Sequence, residues 1–183
     1  ASSDDVFVQD RLNSYVTHTC KGFYPADDPG VLHYHIKKSS DENRSWYING
    51  QDVLLLAMLF KTGKYPVDRT VVLGGPLAEE KKHFQTRMGV PLKHITKGRA
   101  DDNRTARYIV GGILKGYTGS EDSHMGFYET SLVLIPEGDE KEFFGFARPG
   151  YNKPSRSKAF LSVFNPLALP LDCNQHGEDR ACV

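Results

Sequence analysis

At 183 residues the chain is long enough to bury a substantial core, as one medium domain or two small ones. Its 23 basic and 23 acidic residues balance, which argues against nucleic acid or an anionic lipid surface as the partner. No apolar run reaches membrane-spanning length, and the scattered cysteines Cys20, Cys173 and Cys182 point to reduced thiols in a cytosolic setting rather than a disulfide framework. The last two could close a loop only under oxidation. There is no signal-peptide pattern and no initiator methionine, so Ala1-Ser2-Ser3 is expected to be a scar of processing.

In chain order, Val6-Phe7-Val8 reads as a short strand, and Tyr15 to Cys20 is strand-like by residue type. Residues 23–30 (FYPADDPG) are turn-rich. Residues 31–37 (VLHYHIK) alternate, with Val31, His33 and His35 on one face and Leu32, Tyr34 and Ile36 on the other, which predicts a strand. After a polar turn at 39–44, Trp46-Tyr47-Ile48 leads into eight consecutive apolar residues, Val53 to Phe60, which predict a helix buried on most sides. Asn49 and Asp52 are candidate helix starters and Gly63 a candidate left-handed cap.

Arg69 to Leu73 predicts a strand closed by Gly74-Gly75-Pro76, and residues 78–82 a solvated charged segment. His83 to Arg87 predicts a second strand. Pro91 and Gly98 bracket about one helical turn, with Leu92 and Ile95 facing the core. Residues 99–104 read as a charged turn, and Ala106 to Val110 as a strand ended by Gly111-Gly112. Phe127 to Ile135 and Lys141 to Phe146 read as two strands of an antiparallel hairpin across Pro136-Glu137-Gly138-Asp139. Beyond Arg148 the composition shifts through a breaker cluster, residues 149–154, into apolar segments interrupted by Pro166 and Pro170, and then a polar tail.

These elements predict an α+β protein with a β-grasp-like sheet over 69–148. Residues 1–68 fit the last part of a larger α/β layer, with too few elements for a doubly wound sheet, and residues 149–183 an extended C-terminal segment. That asymmetry suggests a piece of a longer protein.

The chemistry-bearing residues are sparse. His33 and His35 flank Tyr34 and could ligate a metal, with only His18 to add, so two half-exposed strand histidines are the simpler reading. Leu73-Gly74-Gly75-Pro76 follows a strand but lacks G-x-G-x-x-G spacing, and Pro76 removes a donor where a phosphate nest needs one. A tight turn is expected there. Val110-Gly111-Gly112-Ile113 fails the same test. Glu140 and Glu142 flank Lys141 as a solvated hairpin edge rather than a catalytic pair. Phe143, Phe144 and Phe146 with Phe127 and Tyr128 could form a flat ligand pocket, but core packing is the default expectation. Lys153, Arg156 and Lys158 read as a basic cluster on a solvated or partner-facing loop. No G-x-S-x-G, H-E-x-x-H or CxxC motif is present. No catalytic residue, cofactor-binding residue or metal ligand is predicted.

The run WYINGQDVLLLAMLFKTGKYPVDRTVVLGGP, residues 46–76, resembles the NqrA family, one of the components of the sodium-translocating NADH:quinone oxidoreductases. That family's pattern is an aromatic residue, x-x-Q/E-D-V, an apolar helix, L-F-x-T-G, and V/T-x-R-x-V-A-x-G-G. Similar segments flank it on both sides. Pro29-Gly30-Val31 with the His-Tyr-His run precedes it. Residues 141–146 (KEFFGF), 149–153 (PGYNK), 159–162 (AFLS) and 176–181 (HGEDRA) follow in the family's order. The resemblance therefore covers nearly the whole chain.

It implies a peripheral component on the cytoplasmic side of the bacterial inner membrane, without covalent flavin or iron–sulfur cluster, in a complex that oxidises NADH, reduces quinone and exports Na+. NADH, quinone, flavins and iron–sulfur centres would belong to the complex, whose other subunits are the expected partners, with quinone as a candidate ligand. It also implies a Rossmann-like domain lacking a nucleotide fingerprint, followed by a soluble ligand-binding β-grasp domain. The family's N-terminal lipoyl-like region, much of its Rossmann-like domain and its C-terminal helical region have no counterpart here. The alternative is a β-grasp ligand-binding or docking module of a related electron-transport complex, of Rnf type or complex I type.

Overall fold

The computed structural model describes residues 12–101, 103–138, 144, 147–153, 158, 160–164 and 173. It divides into two compact units, Ala1–Tyr65 and Pro66–Val183.

The described part of the first unit is helical. A 3-10 turn, Asn13–Tyr15, stands where the residue types predict the start of a strand, and Val16 to Thr19 adopt no regular structure. The Val6-Phe7-Val8 strand lies outside the described residues. The predicted strand over 31–37 is instead α1, Pro29–Ile36. Its cause is at the N-terminus. The Asp28 carboxylate accepts from the Gly30 and Val31 amides at 2.8 and 3.4 Å, and Pro29 pre-sets the first helical φ. That cap outweighs the period-two alternation.

A second 3-10 turn, Ser40–Glu42, leads through an extended segment to α2, Gly50–Thr62. As expected, Asn49 is its N-cap, and Gly63 ends it with φ +69° and a 2.8 Å hydrogen bond from its amide to the Leu59 carbonyl. The expected burial on most sides is not observed. Of the helix only Leu55 is buried and Leu59 half-buried, while Val53, Leu54, Leu56, Met58 and Phe60 are exposed.

The second unit is built on a five-stranded sheet of order β2-β1-β5-β3-β4. The strands are β1 Asp68–Gly74, β2 Lys82–Arg87, β3 Ala106–Val110, β4 Tyr117–Gly119 and β5 Ser131–Pro136. β1 pairs antiparallel with β2 and, through Val72↔Ser131, Leu73↔Leu132 and Gly74↔Val133, parallel with β5. β5 and β4 each pair antiparallel with β3. Mixed helices and an open sheet match the expected α+β class.

The short helix α3, Leu92–Thr96, connects the two sides. Leu92, Ile95 and the inward residues Val71, Leu73, Val110, Leu132 and Leu134 belong to one buried cluster. Pro91 stands one residue before the expected helical position, and Gly98 follows the cap residue Lys97 with φ +66°. No side chain caps α3. Its first amides donate to a loop instead, from Leu92 to the Ser123 carbonyl (2.8 Å) and from Lys93 to the Glu121 carbonyl (3.1 Å).

Two strand readings need correction. Phe127 to Thr130 lie outside the ladder, and β5 begins only at Ser131, because the chain still turns at Gly126–Glu129 (Glu129 amide to Gly126 carbonyl, 3.3 Å). β4 has no forerunner in the sequence reading. Its three residues are too few for an alternation to show. The predicted partner strand over 141–146 falls mostly outside the described residues. Within them, β5 has β1 and β3 as neighbours.

Gly74-Gly75-Pro76 forms the tight turn expected of it. Gly75 has φ +104°, and a Cβ there would collide with the backbone of Leu134. Replacing Gly75 by Ala is expected to destabilise the second unit by about 3 kcal/mol or more, read as a loss in denaturant midpoint at unchanged slope. An unchanged midpoint would mean that the turn can relax away from Leu134.

Just past the C-terminal end of β5, Arg107 of β3 grips Glu137 with both arms of its guanidinium, Nε donating to Oε2 at 3.0 Å and Nη2 to Oε1. The hydrogen bonds from Arg107 hold the Glu137 carboxyl below the ordinary glutamate range, against the opposing effect of desolvation. The contribution is therefore complete above the ordinary glutamate pKa and is lost as pH falls through the lowered one. Both side chains keep partial solvent access, so it amounts to about 1 kcal/mol or less. Glu137→Gln is expected to flatten the acid limb of a stability–pH curve and to leave its slope above pH 6 unchanged. An acid limb as steep as that of the parent chain would contradict this.

Candidate functional site

The histidines come first because they are the nearest approach to a metal site. On α1 a two-residue separation rotates His33 and His35 about 200° apart, so they cannot face one ion. His33 Nε2 donates to the Glu42 carbonyl at 2.6 Å, and the His35 ring packs edge-on against Tyr34, 5.4 Å between centroids. His18 Nδ1 lies 3.1 Å from the Thr17 hydroxyl. Among the described residues no three His, Cys, Asp or Glu side chains gather as a metal site. Cys20 and Cys173 are half-buried thiols, and Cys182 lies outside the described residues.

The glycine turns are structural. Gly111 and Gly112 adopt φ +90° and +95° and end β3, and the Gly116 amide returns to the Gly112 carbonyl at 2.8 Å to start β4. Neither this turn nor the one at Gly75 offers an open row of amides opening a helix, which phosphate binding needs.

The aromatic residues depart from the expected core packing. Phe127, Tyr128 and Phe144 are exposed, while Phe143 and Phe146 lie outside the described residues. Phe127 and Tyr128 meet edge-to-face at 4.8 Å, and the Phe127 ring lies 5.4 Å from the guanidinium carbon of Arg69. Arg69 is itself 3% exposed. The aromatic pair therefore roofs a buried cation at the start of β1 instead of filling a core.

The basic cluster divides in the same manner. Lys158 is exposed, but Lys153 is 6% exposed, its ammonium 5.6 Å from the Phe160 ring centre, so it is not part of a solvated loop. The Ser162 hydroxyl donates to the Lys153 carbonyl at 2.5 Å, and the Leu161 amide to the Pro149 carbonyl at 2.9 Å, tying 149–153 to 160–164. Arg156, Glu140, Lys141 and Glu142 lie outside the described residues.

One cluster escapes the sequence reading. Phe84 on β2 carries Arg99 at 4.7 Å and Lys82 at 5.4 Å from its ring centre, and Glu80 bridges both cations at 3.6 and 2.5 Å. The hydrogen bond from Lys82 holds the Glu80 carboxyl below its usual range. In sequence, residues 78–82 read as a solvated charged segment and 99–104 as a charged turn. Each segment carries charges of both signs, so nothing in the sequence singles out Glu80 as the partner of Arg99. These groups make an ordered polar surface. They do not place a nucleophile beside a base.

Comparison with known proteins identifies the family to which the chain is similar. A family model described as the NqrA second alpha/beta domain matches residues 2–65. The NqrA component of the Na(+)-translocating NADH-quinone reductase of Rhodopirellula baltica is 32% identical over 164 residues, 88% of this chain and 36% of that protein. Its counterpart in Psychromonas ingrahamii is 34% identical over 164 residues, covering 89% of this chain and 35% of its own length. That of Histophilus somni is 33% identical over 175 residues, covering 94% and 39%. The chain thus spans little more than a third of the length of the relatives it matches. The similarity runs through both units, and the chain belongs to the NqrA family of the Na(+)-translocating NADH-quinone reductases.

Proposed function

We propose that the chain serves as a peripheral, cofactor-free part of a membrane complex that oxidises NADH, reduces quinone and exports Na+. Its role there is structural or associated with the quinone site. The observation that carries this reading is the similarity to NqrA proteins across 88–94% of the chain, through both units. No described helix is long and apolar enough to cross a membrane, which agrees with attachment through other subunits of the complex. The cytoplasmic side of the bacterial inner membrane is the proposed location.

The second unit is read as a β-grasp domain. Support comes from the order β2-β1-β5-β3-β4, in which a hairpin, a short helix and a later strand β5 lying parallel to β1 enclose one core. The first unit is read as part of a Rossmann-like α/β layer. Neither contains a glycine-rich nucleotide fingerprint or clustered cysteines in its sequence, so NADH, flavin and iron–sulfur chemistry are assigned to the rest of the complex.

Tagged chain added to detergent-solubilised membranes of its source is expected to recover the membrane-embedded flavin subunits of the sodium pump, read by mass spectrometry. Purified alone with a quinone acceptor, it is expected not to oxidise NADH. Recovery of Rnf-type or complex I-type subunits instead, or NADH oxidation by the pure chain, would overturn the proposal.

A further inference from the structure

β2 lies at one margin of the sheet, with β1 as its neighbour among the described residues. Its register with β1 runs without a bulge from Asp68↔Arg87 to Leu73↔Lys82, and the strand contains no proline. Two hydrogen bonds fix which of its backbone groups face outward. The Met88 amide donates to the Val67 carbonyl at 2.9 Å, so Thr86, Phe84 and Lys82, at alternate positions before it, also turn their backbone groups to β1. The Val72 amide donates to the Thr130 carbonyl at 2.8 Å, on the β5 side, so its cross-strand partner His83 turns away from β1, and Gln85 and Arg87 turn with it. The outer margin of β2 is therefore a row of amides and carbonyls from His83, Gln85 and Arg87, three residues that are exposed. β4, at the other margin, is shorter, Tyr117–Gly119.

We propose that this margin is a docking surface on which an extended acidic segment of another subunit pairs as an added strand. Charge selects the occupant. Residues 81–87 (KKHFQTR) hold Lys81, Lys82, His83 and Arg87 and no acid, in a chain whose overall charge is balanced. Glu80 engages Lys82 at 2.5 Å and Arg99 at 3.6 Å, while Lys81, His83 and Arg87 stand exposed along the margin, with Asp68 of β1 the acid in register with Arg87. A second copy of the chain fits poorly. Antiparallel pairing of two β2 strands sets Arg87 of each copy opposite His83 or, in the adjacent register, Lys81 of the other, and like charges directly opposite destabilise a ladder. A segment with Asp or Glu at those places reverses the sign of the interaction. Main-chain bonds to His83, Gln85 and Arg87 hold such a strand, and its acidic side chains set the register. The inference rests on reading the chain as part of a membrane complex, and it names one surface by which the chain is held there.

The test is residue-resolved amide exchange on a full-length NqrA protein in which these 183 residues replace the matching stretch, alone and assembled with the other subunits. Alone, the amides of His83, Gln85 and Arg87 are expected to exchange faster than those of Phe84 and Thr86, which bond to β1. On assembly the three outward amides are expected to slow by at least about tenfold, toward the rates of Phe84 and Thr86. That alternation is the signature of strand pairing, since a surface covered without pairing gives no protection tied to every second amide. His83→Glu combined with Arg87→Glu, at exposed positions outside the core, is expected to weaken assembly at least about tenfold and to remove the protection. Gln85→Pro, which removes an outward amide and no bond to β1, is expected to do the same. The unfolding midpoint of the isolated protein reports that both variants remain folded, and the exchange result on the parent sequence needs neither of them.

Fast exchange of the three amides in the assembled complex would overturn the inference. So would protection already present in the isolated full-length protein, which would put that protein's own chain on the margin. Protection of the isolated protein that grows with its concentration would assign the margin to a second copy and overturn it as well. Charge reversal that leaves assembly unchanged would overturn the acidic partner. Failure of the hybrid protein to assemble would contradict the proposed function and this inference with it, whereas assembly without protection would contradict this inference alone.

Discussion

The parallel ladder between β1 and β5 is the constraint on which the second unit depends. It is three residue pairs long, and it joins β2-β1 on one side to β5-β3-β4 on the other. A parallel pair cannot be closed by a tight turn and needs a crossover. Residues 75–130 supply it, carrying β2, α3, β3 and β4 on the way. Leu73, Leu132 and Leu134, at 0% exposure, lie on or beside that ladder. Gly75 lets the chain leave β1 with its backbone against Leu134, where any side chain would push the two strands apart. The remaining features are arranged around this pair. Arg107 and Glu137 clamp the far end of β5, and the loop at 121–123 caps α3 so that Leu92 and Ile95 reach the same core.

Much of this is legible in the residues. The β-branched run at 70–72, the glycines that close it and the Pro91…Gly98 bracket have local causes, and local causes can be read in sequence. α1 is legible too, since Asp28-Pro29 is a helix-start signal, but the alternation of His33 and His35 competes with the cap and points the other way. β4 and the late start of β5 are not legible, because a three-residue strand has no period and the turn at 126–129 depends on tertiary neighbours. The burial of Arg69 has a signal, since positions 69, 71 and 73 share one face of β1 with two core residues. Its aromatic roof at Phe127 has none, being 58 residues away in the chain.

The candidate sites divide along the same line. Both glycine turns serve strand connections, the histidines serve α1 and its neighbouring turn, and the charged pairs join segments of one unit. Among the described residues these side chains are engaged in local structure. The described surface also carries exposed apolar side chains on α2 and an ordered polar patch around Phe84. A family whose relatives are named as one component of a multi-subunit reductase is consistent with that division of labour.

The measurement that tests the central claim most directly is native-state hydrogen exchange of the second unit. If the β1–β5 pair is the keystone, the slowest amides lie in β1, β5 and β3 and exchange only through global unfolding, while those of the edge strands β2 and β4 exchange faster through local opening. Amides of β2 or β4 that exchange as slowly as those of β1 and β5 would contradict the account, because stability would then not be centred on the parallel ladder.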